Sequence, residues 1–151
     1  DIIQKFTRTG LYITSWAPSE VGDTGPGEFN FAVYGIAVSE DNEVFVTDGT
    51  NNRVQVFDTD GNYLRQFGTP GSGDGEFNTP AGMVIGWNGN LLITDLWNGR
   101  VQVFEQDGTY LSQWGTPGIG PGQLPAPRYV AVNNEGKIYV SDAINRVQRF
   151  A

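Results

Sequence analysis

The chain has 151 residues, of which 38% are hydrophobic and 13% aromatic, so it is long and apolar enough to bury the core of one domain. It carries 9 Lys and Arg against 17 Asp and Glu, a formal net charge of −8, which disfavours nucleic acid and anionic membranes as partners. It has no Cys and no His, which excludes disulfides, thiol nucleophiles, Cys/His zinc sites and His-based triads.

The predicted elements are short strands that recur in the order a, b, c, d. Strands c and d come first, within residues 2–16. Two complete sets follow at about 31–68 and 79–115, and strands a, b and c close the chain at 126–150. Strand a is predicted at Gly35–Ser39, Gly82–Gly86 and Tyr129–Asn133, and strand b at Val44–Thr47, Leu91–Thr94 and Ile138–Ser141. Strand c is predicted at Ile2–Phe6, Arg53–Phe57, Arg100–Phe104 and Arg146–Phe150, and strand d at Leu11–Trp16, Tyr63–Phe67 and Tyr110–Trp114.

The spacing of these sets identifies the architecture. The equivalent residues Phe6, Phe57, Phe104 and Phe150 stand 46 to 51 residues apart. A period of about 40–50 residues that contains four strands is typical of a propeller blade. Aspartyl-glycine turns such as Asp60-Gly61 join strands c and d, where a hairpin needs positive φ. The sequence therefore predicts an all-β chain of four-stranded antiparallel blades.

The segment VFVTDGTNNRVQVFDTDGNYLRQFGTPGSGDGEFNTPAGMVI, residues 44–85, resembles the NHL repeat family in its strand–Asp–Asn–Arg–strand–glycine layout. The resemblance covers nearly the whole chain, residues 1–151, as one NHL-repeat domain. It implies a propeller that usually has six blades. It also implies that ligands lie on the face made by the d–a and b–c loops.

Three periods are too few to close a ring, because propellers usually have about four to eight blades. We therefore expect a half-propeller that completes a six-bladed ring as a homodimer. One copy would lend strand d, Leu11–Trp16, to strands a–c of the other. Strand c is then present twice at each junction, and we expect Arg146–Phe150 to stay and Ile2–Phe6 to be displaced. An open filament and a fragment of a longer chain are the alternatives.

Two charged residues recur in every copy. Asp ends strand b and Arg begins strand c, and because each copy has both, we interpret the pair as a structural clamp on the b–c loop rather than as a catalytic or metal site. These residues are Asp48, Asp95, Asp142, Arg53, Arg100 and Arg146.

Residues that the repeat does not require are better candidates for ligand binding. Trp97 lies in a b–c loop, and Tyr34, Arg128 and Tyr129 lie where d–a loops enter strand a. Aromatic rings with one Arg suit a carbohydrate, a peptide or a carboxylate, although loop packing would explain them equally well. Trp87, in an a–b turn, falls on the opposite side of the blade.

Together these observations favour a non-enzymatic scaffold that binds a protein, peptide or carbohydrate ligand and assembles with itself by strand exchange. We expect no catalytic residue, metal or cofactor, and no nucleic-acid or membrane partner. The alternatives are a calcium-dependent lactonase or lyase with its site in the channel, and a filament-forming structural subunit. A chain that starts at Asp1 favours an extracellular or periplasmic origin.

Overall fold

The computed structural model describes residues 2–16 and 25–150, and in these ranges the regular structure consists of short β-strands. The first two form a hairpin, β1 (Ile3–Phe6) and β2 (Tyr12–Trp16). The first four-stranded sheet contains β3 (Val33–Val38), β4 (Glu43–Asp48), β5 (Arg53–Asp58) and β6 (Tyr63–Phe67) in that order.

A short crossover leads into the second sheet. It contains a two-stranded parallel pair, β7 (Thr69–Pro70) and β8 (Glu76–Phe77). The second four-stranded sheet contains β9 (Pro80–Ile85), β10 (Leu91–Asp95), β11 (Arg100–Phe104) and β12 (Tyr110–Trp114). The last sheet has three strands, β13 (Tyr129–Val132), β14 (Ile138–Ser141) and β15 (Val147–Phe150). We call the sheets that begin at β3, β9 and β13 the first, second and third blades.

The observed strands follow the predicted order, and their ends lie within two residues of the predicted ones. Strand a of the two complete blades begins two residues earlier than predicted, at Val33 and Pro80, because its pairing with strand b continues past a register shift. The β7–β8 pair was not predicted from the sequence. Residues 1, 17–24 and 151 lie outside the described residues.

The hydrophobic core lies between neighbouring sheets rather than inside one layer. Phe45 and Val56 of the first blade pack with Met83 and Ile93 of the second. A similar cluster joins the second and third blades, and a smaller one joins the β1–β2 hairpin to the first blade. The first and second blades therefore bury apolar side chains on both faces, as stacked sheets require, whereas the third blade is covered on one face.

The two ends of the described chain do not meet in one sheet. The β1–β2 hairpin and the β13–β15 sheet are separate, and within the described residues strand β15 pairs only with β14. The outer edge of β15 lies where β6 and β12 pair with strand c in the complete blades.

Candidate functional site

The repeated Asp and Arg residues form the same ion pair in each blade. In all three copies the Arg Nε atom lies 2.8 Å from the Asp Oδ2 atom. The carboxylate side chains are fully buried, and the guanidinium side chains are 7% exposed in the first two blades and 26% exposed in the third. The pairs are Asp48–Arg53, Asp95–Arg100 and Asp142–Arg146.

In the second blade the guanidinium of Arg100 also binds the crossover that precedes the blade. It donates to the carbonyl oxygens of Ser72, Gly73 and Glu76 at 2.8–2.9 Å. Gln102 donates to the same Glu76 oxygen at 2.7 Å. The clamp thus joins the b–c loop to the d–a crossover, which is a wider role than the sequence predicted.

The other blades repeat this arrangement. Arg53 donates to the carbonyl oxygens of Gly25 and Glu28, and Arg146 donates to those of Ile119, Gly120 and Gln123. Three equivalent networks indicate that each clamp fixes the loop geometry of its own blade.

The carboxylate of Asp95 is occupied by protein donors. It accepts from the backbone N–H of Asn78 and from the side chains of Asn98, Arg100 and Gln102. Burial raises the pKa of this carboxyl above its usual value, and the hydrogen bonds from Asn98, Asn78 and Arg100 oppose that shift. Within the described residues, no group of three or more acidic, His or Cys side chains is placed to hold a metal ion.

All four residues that the sequence singled out for binding line one cavity. Tyr34, Trp97, Arg128 and Tyr129 surround a space of about 220 Å³ on the face formed by the b–c loops and the entries to strand a. Trp97 is 66% exposed and Tyr129 is 61% exposed, so the rings border the cavity without being packed away. Residues that the sequence analysis did not single out complete the wall: Thr79, Ala81, Leu96, Ala126 and Ala143.

Backbone hydrogen bonds hold the cavity residues in place. The Trp97 N–H donates to the Asn78 carbonyl at 3.1 Å, which fixes the b–c loop against the crossover. The Arg128 N–H donates to the Ser141 carbonyl at 2.8 Å, and the Arg128 carbonyl accepts from the Gly82 N–H at 2.8 Å. Arg128 is therefore anchored to its own blade and to the preceding one, while its side chain remains exposed.

The backbone beside the cavity has an unusual conformation just before strand a of each blade. Phe31, Thr79 and Ala126 have φ values of 53°, 62° and 50° just before strand a. Positive φ is rare for residues with a Cβ atom, above all for a β-branched one such as Thr. Each blade thus has one such residue at the end of its d–a loop, and Thr79 and Ala126 also line the cavity. No glycine marks the position, so the sequence carried no signal for it.

Among the described residues that line the cavity, one carries a charge, the cation Arg128, and none is a carboxylate. This differs from the chain as a whole, whose net charge is −8. Trp87 lies elsewhere, in the turn between β9 and β10, and is 79% exposed. It borders a separate cleft between the second and third blades. Across residues 2–16 and 25–150, no helix has the length and hydropathy of a membrane span.

Three solved structures show the fold to which the chain is similar. A protein of unknown function from Bacteroides thetaiotaomicron has a TM-score of 0.71 and 19% identity, covering 97% of this chain and 40% of that one. A catalytically inactive virginiamycin B lyase from Staphylococcus aureus with quinupristin has a TM-score of 0.64 and 17% identity, covering 99% and 48%. The WD40 β-propeller domain of Doa1 has a TM-score of 0.62 and 14% identity, covering 94% and 41%.

These likenesses establish the fold alone, since all three identities are below 20%. The chain spans less than half the length of each of these structures. Two family models match parts of the sequence: one described as a 6-bladed beta-propeller over residues 26–90, and the NHL repeat over residues 77–104. No curated protein matches the sequence. The blade order and the two matching family models show a run of β-propeller blades that includes an NHL repeat over residues 77–104.

Proposed function

We propose that this chain is a non-enzymatic binding module whose ligand occupies the cavity of Tyr34, Trp97, Arg128 and Tyr129. The observation that carries the proposal is the convergence of these four residues, since the repeat pattern requires none of them. Small side chains such as Ala81 and Ala143 line the rest of the cavity and leave room between the rings. Ligand sites commonly combine a mainly apolar concave wall with a few polar groups.

The wall chemistry favours an acidic carbohydrate. Exposed aromatic rings present flat apolar surfaces on which the C–H face of a sugar can stack. Arg128 supplies a planar guanidinium that can bind a carboxylate through two parallel hydrogen bonds. Because none of the described lining residues is a carboxylate, the described part of the wall does not oppose a negatively charged ligand.

The state of the repeated carboxylates supports a binding role over a calcium-dependent lyase or lactonase. Asp95 already accepts four hydrogen bonds, and its counterparts Asp48 and Asp142 are each paired with an Arg. A calcium ion in the channel would have to replace these donors. The likeness to virginiamycin B lyase concerns the fold and supplies no catalytic residue to this chain.

The binding proposal is tested by calorimetry with galacturonic acid oligomers, and with neutral galactose oligomers as the matched ligand. We expect the acidic oligomer to bind, Trp97→Ala to weaken binding by about tenfold or more, and Arg128→Gln to remove the preference for the acid. Trp87→Ala is the control, because that ring is exposed outside the cavity. Binding that neither cavity variant alters would refute the site. Binding of an acidic peptide but no sugar would refute the ligand class.

We propose self-assembly as the second function, because β15 leaves an edge without a strand d in the described chain. An unpaired strand edge offers main-chain donors and acceptors to another chain. A closed dimer would combine two sets of three blades into the six that one matching family model describes. The test is the native mass, which we expect to be twice the chain mass of 16.5 kDa. A monomer at high micromolar concentration would refute assembly, and a polymer would favour the filament.

A further inference from the structure

We call the packed interface between two neighbouring blades a joint. The chain contains two complete joints, and the first blade exposes apolar positions that are buried in both of them. Ile36 on β3 is 55% exposed, whereas its repeat equivalents Met83 and Val130 are each 7% exposed. Val38, two residues further along β3, is 57% exposed. An apolar cleft of about 190 Å³ lies beside both residues, between β3 and the β1–β2 hairpin. We call Ile36 and Val38 the entry face.

The third blade exposes the opposite half of the same joint. Ala37 of the first blade packs against the core between the first and second blades, and Val84 packs against the core between the second and third. Their equivalent in the third blade, Ala131, is exposed. Tyr139 lies opposite Ala131 on the neighbouring strand. We call Ala131 and Tyr139 the exit face.

A second contact recurs at the outer edge of each joint. The aromatic residue that ends strand d lies on the glycine of the next c–d turn, as Trp16 does on Gly61 and Phe67 does on Gly108. A Cβ atom added to Gly61 would lie 2.5 Å from the Trp16 ring, and one added to Gly108 would lie 2.8 Å from Phe67. The next aromatic residue in this series is Trp114.

The glycine that would receive Trp114 in this series has open space around it. Gly10 stands in the c–d turn of the β1–β2 hairpin, with φ +84°, and a Cβ atom there would meet nothing within 4 Å. Trp114 contacts Phe150 at a ring-centroid distance of 4.4 Å, as Phe67 contacts Phe104 at 5.2 Å in the preceding joint. Trp114 and Gly10 are thus the two halves of a third outer contact.

We infer that a second copy of this chain completes the joint, with its exit face on the entry face of the first and its Gly10 beneath Trp114. This inference rests on the self-assembly proposed above and specifies its contacts. Each chain carries one entry face and one exit face, so two copies related by a twofold axis satisfy both. The occupant of both faces must present the blade surface that fills the two internal joints, and a second copy of this chain carries that surface.

In the assembly, β13 and β14 of one copy and the β1–β2 hairpin of the other form one shared blade. Burial favours β1 over β15 as strand c of this blade. Ile3 of β1 is 7% exposed and packs in the core of the first blade, and Lys5 donates to the Thr59 carbonyl at 2.7 Å. Val147 of β15, the repeat equivalent of Ile3, is 67% exposed. At this strand-c position, displacing β15 therefore uncovers less apolar surface than displacing β1. Within one chain β15 pairs with β14, as the sequence led us to expect, and our inference is that β1 of the other copy takes its place on assembly.

The joint between copies must be wider near the channel than the joints within a chain. A Cβ atom added to Gly35 would lie 2.5 Å from the Ala81 carbonyl oxygen, and one added to Gly82 would lie 2.5 Å from that of Arg128. The third copy of this position is Tyr129, which has a Cβ atom. The contacts between copies are therefore the two faces and the Trp114–Gly10 pair, and not a close approach of the two backbones.

Single cysteines test the contact without background crosslinks, because the sequence contains no other Cys. We expect a disulfide-linked dimer on mild oxidation when Ile36→Cys and Ala131→Cys chains are mixed, and little crosslinking of either variant alone. Ile119→Cys, on an exposed crossover residue outside both faces, is the control partner and should not crosslink to Ile36→Cys. If the unmodified chain is dimeric but the mixture does not crosslink, the joint is refuted while self-assembly stands. A monomeric unmodified chain refutes both.

A matched pair of glycine variants tests the outer contact. Gly10→Asn keeps a residue that tolerates positive φ but adds a side chain where Trp114 of the other copy would lie. We expect the dimer dissociation constant to rise about tenfold or more, with an unchanged circular dichroism spectrum. Gly89→Asn is the control, because Gly89 lies in the β9–β10 turn with φ +82° and a Cβ atom there would meet only the Gln106 side chain, at 3.6 Å. Equal dissociation constants for the two variants would overturn the Trp114–Gly10 contact.

Discussion

Removal of the guanidinium at Arg100 should destabilise the fold strongly. In Arg100→Ala the Asp95 carboxylate, whose side chain is fully buried, loses its charged partner. The carbonyl oxygens of Ser72, Gly73 and Glu76 each lose one donor as well. Breaking a buried ion pair from one side costs about 3–5 kcal/mol, because the remaining charge stays desolvated. Arg146→Ala should cost less, about 1–2 kcal/mol, since that side chain is 26% exposed and water can replace some of its bonds.

The assay is urea unfolding followed by tryptophan fluorescence and far-ultraviolet circular dichroism on both variants. In thermal unfolding of the same variants, a loss of about 3–5 kcal/mol corresponds to a fall in Tm of about 6–20 °C for a chain of this size. Arg100→Lys separates charge from geometry, because an ammonium cannot reach Asp95 and several carbonyls at once. A loss below about 1 kcal/mol for Arg100→Ala, or a larger loss for Arg146→Ala, would refute the clamp.

Two further predictions concern an ion pair and a joint between blades. The Arg65 guanidinium lowers the pKa of Glu43 below its usual value, so the stability from this pair is present above about pH 4.5 and is lost as the pH falls through the lowered folded pKa. Urea midpoints at a series of pH values should show Glu43→Gln less stable than the wild type at neutral pH and equal to it in acid, whereas the exposed Glu135→Gln should match the wild type throughout. Gly82→Ala should lower the Tm by several degrees, because its Cβ atom would lie 2.5 Å from the Arg128 carbonyl oxygen and force two blades apart; an unchanged Tm would contradict that packing.

Much of the candidate site was visible as departures from the repeat. Trp97, Arg128 and Tyr129 stood out because the other blades have different residues at equivalent positions. The structure places them around one cavity, and it adds Thr79 and Ala126 from a shared backbone bend. The bend could not be predicted because its φ values belong to residues that usually avoid them, and the surrounding loops impose the conformation.

The sequence by itself determined the strands, their order and the blade period, because these depend on local alternation and on turn glycines such as Gly61 and Gly108. Only the tertiary structure decided which surfaces remain open. Ile36 and Met83 occupy the same repeat position, yet one is exposed and the other is buried. Burial depends on whether a neighbouring blade is present, and that is a property of the packed molecule rather than of the local sequence.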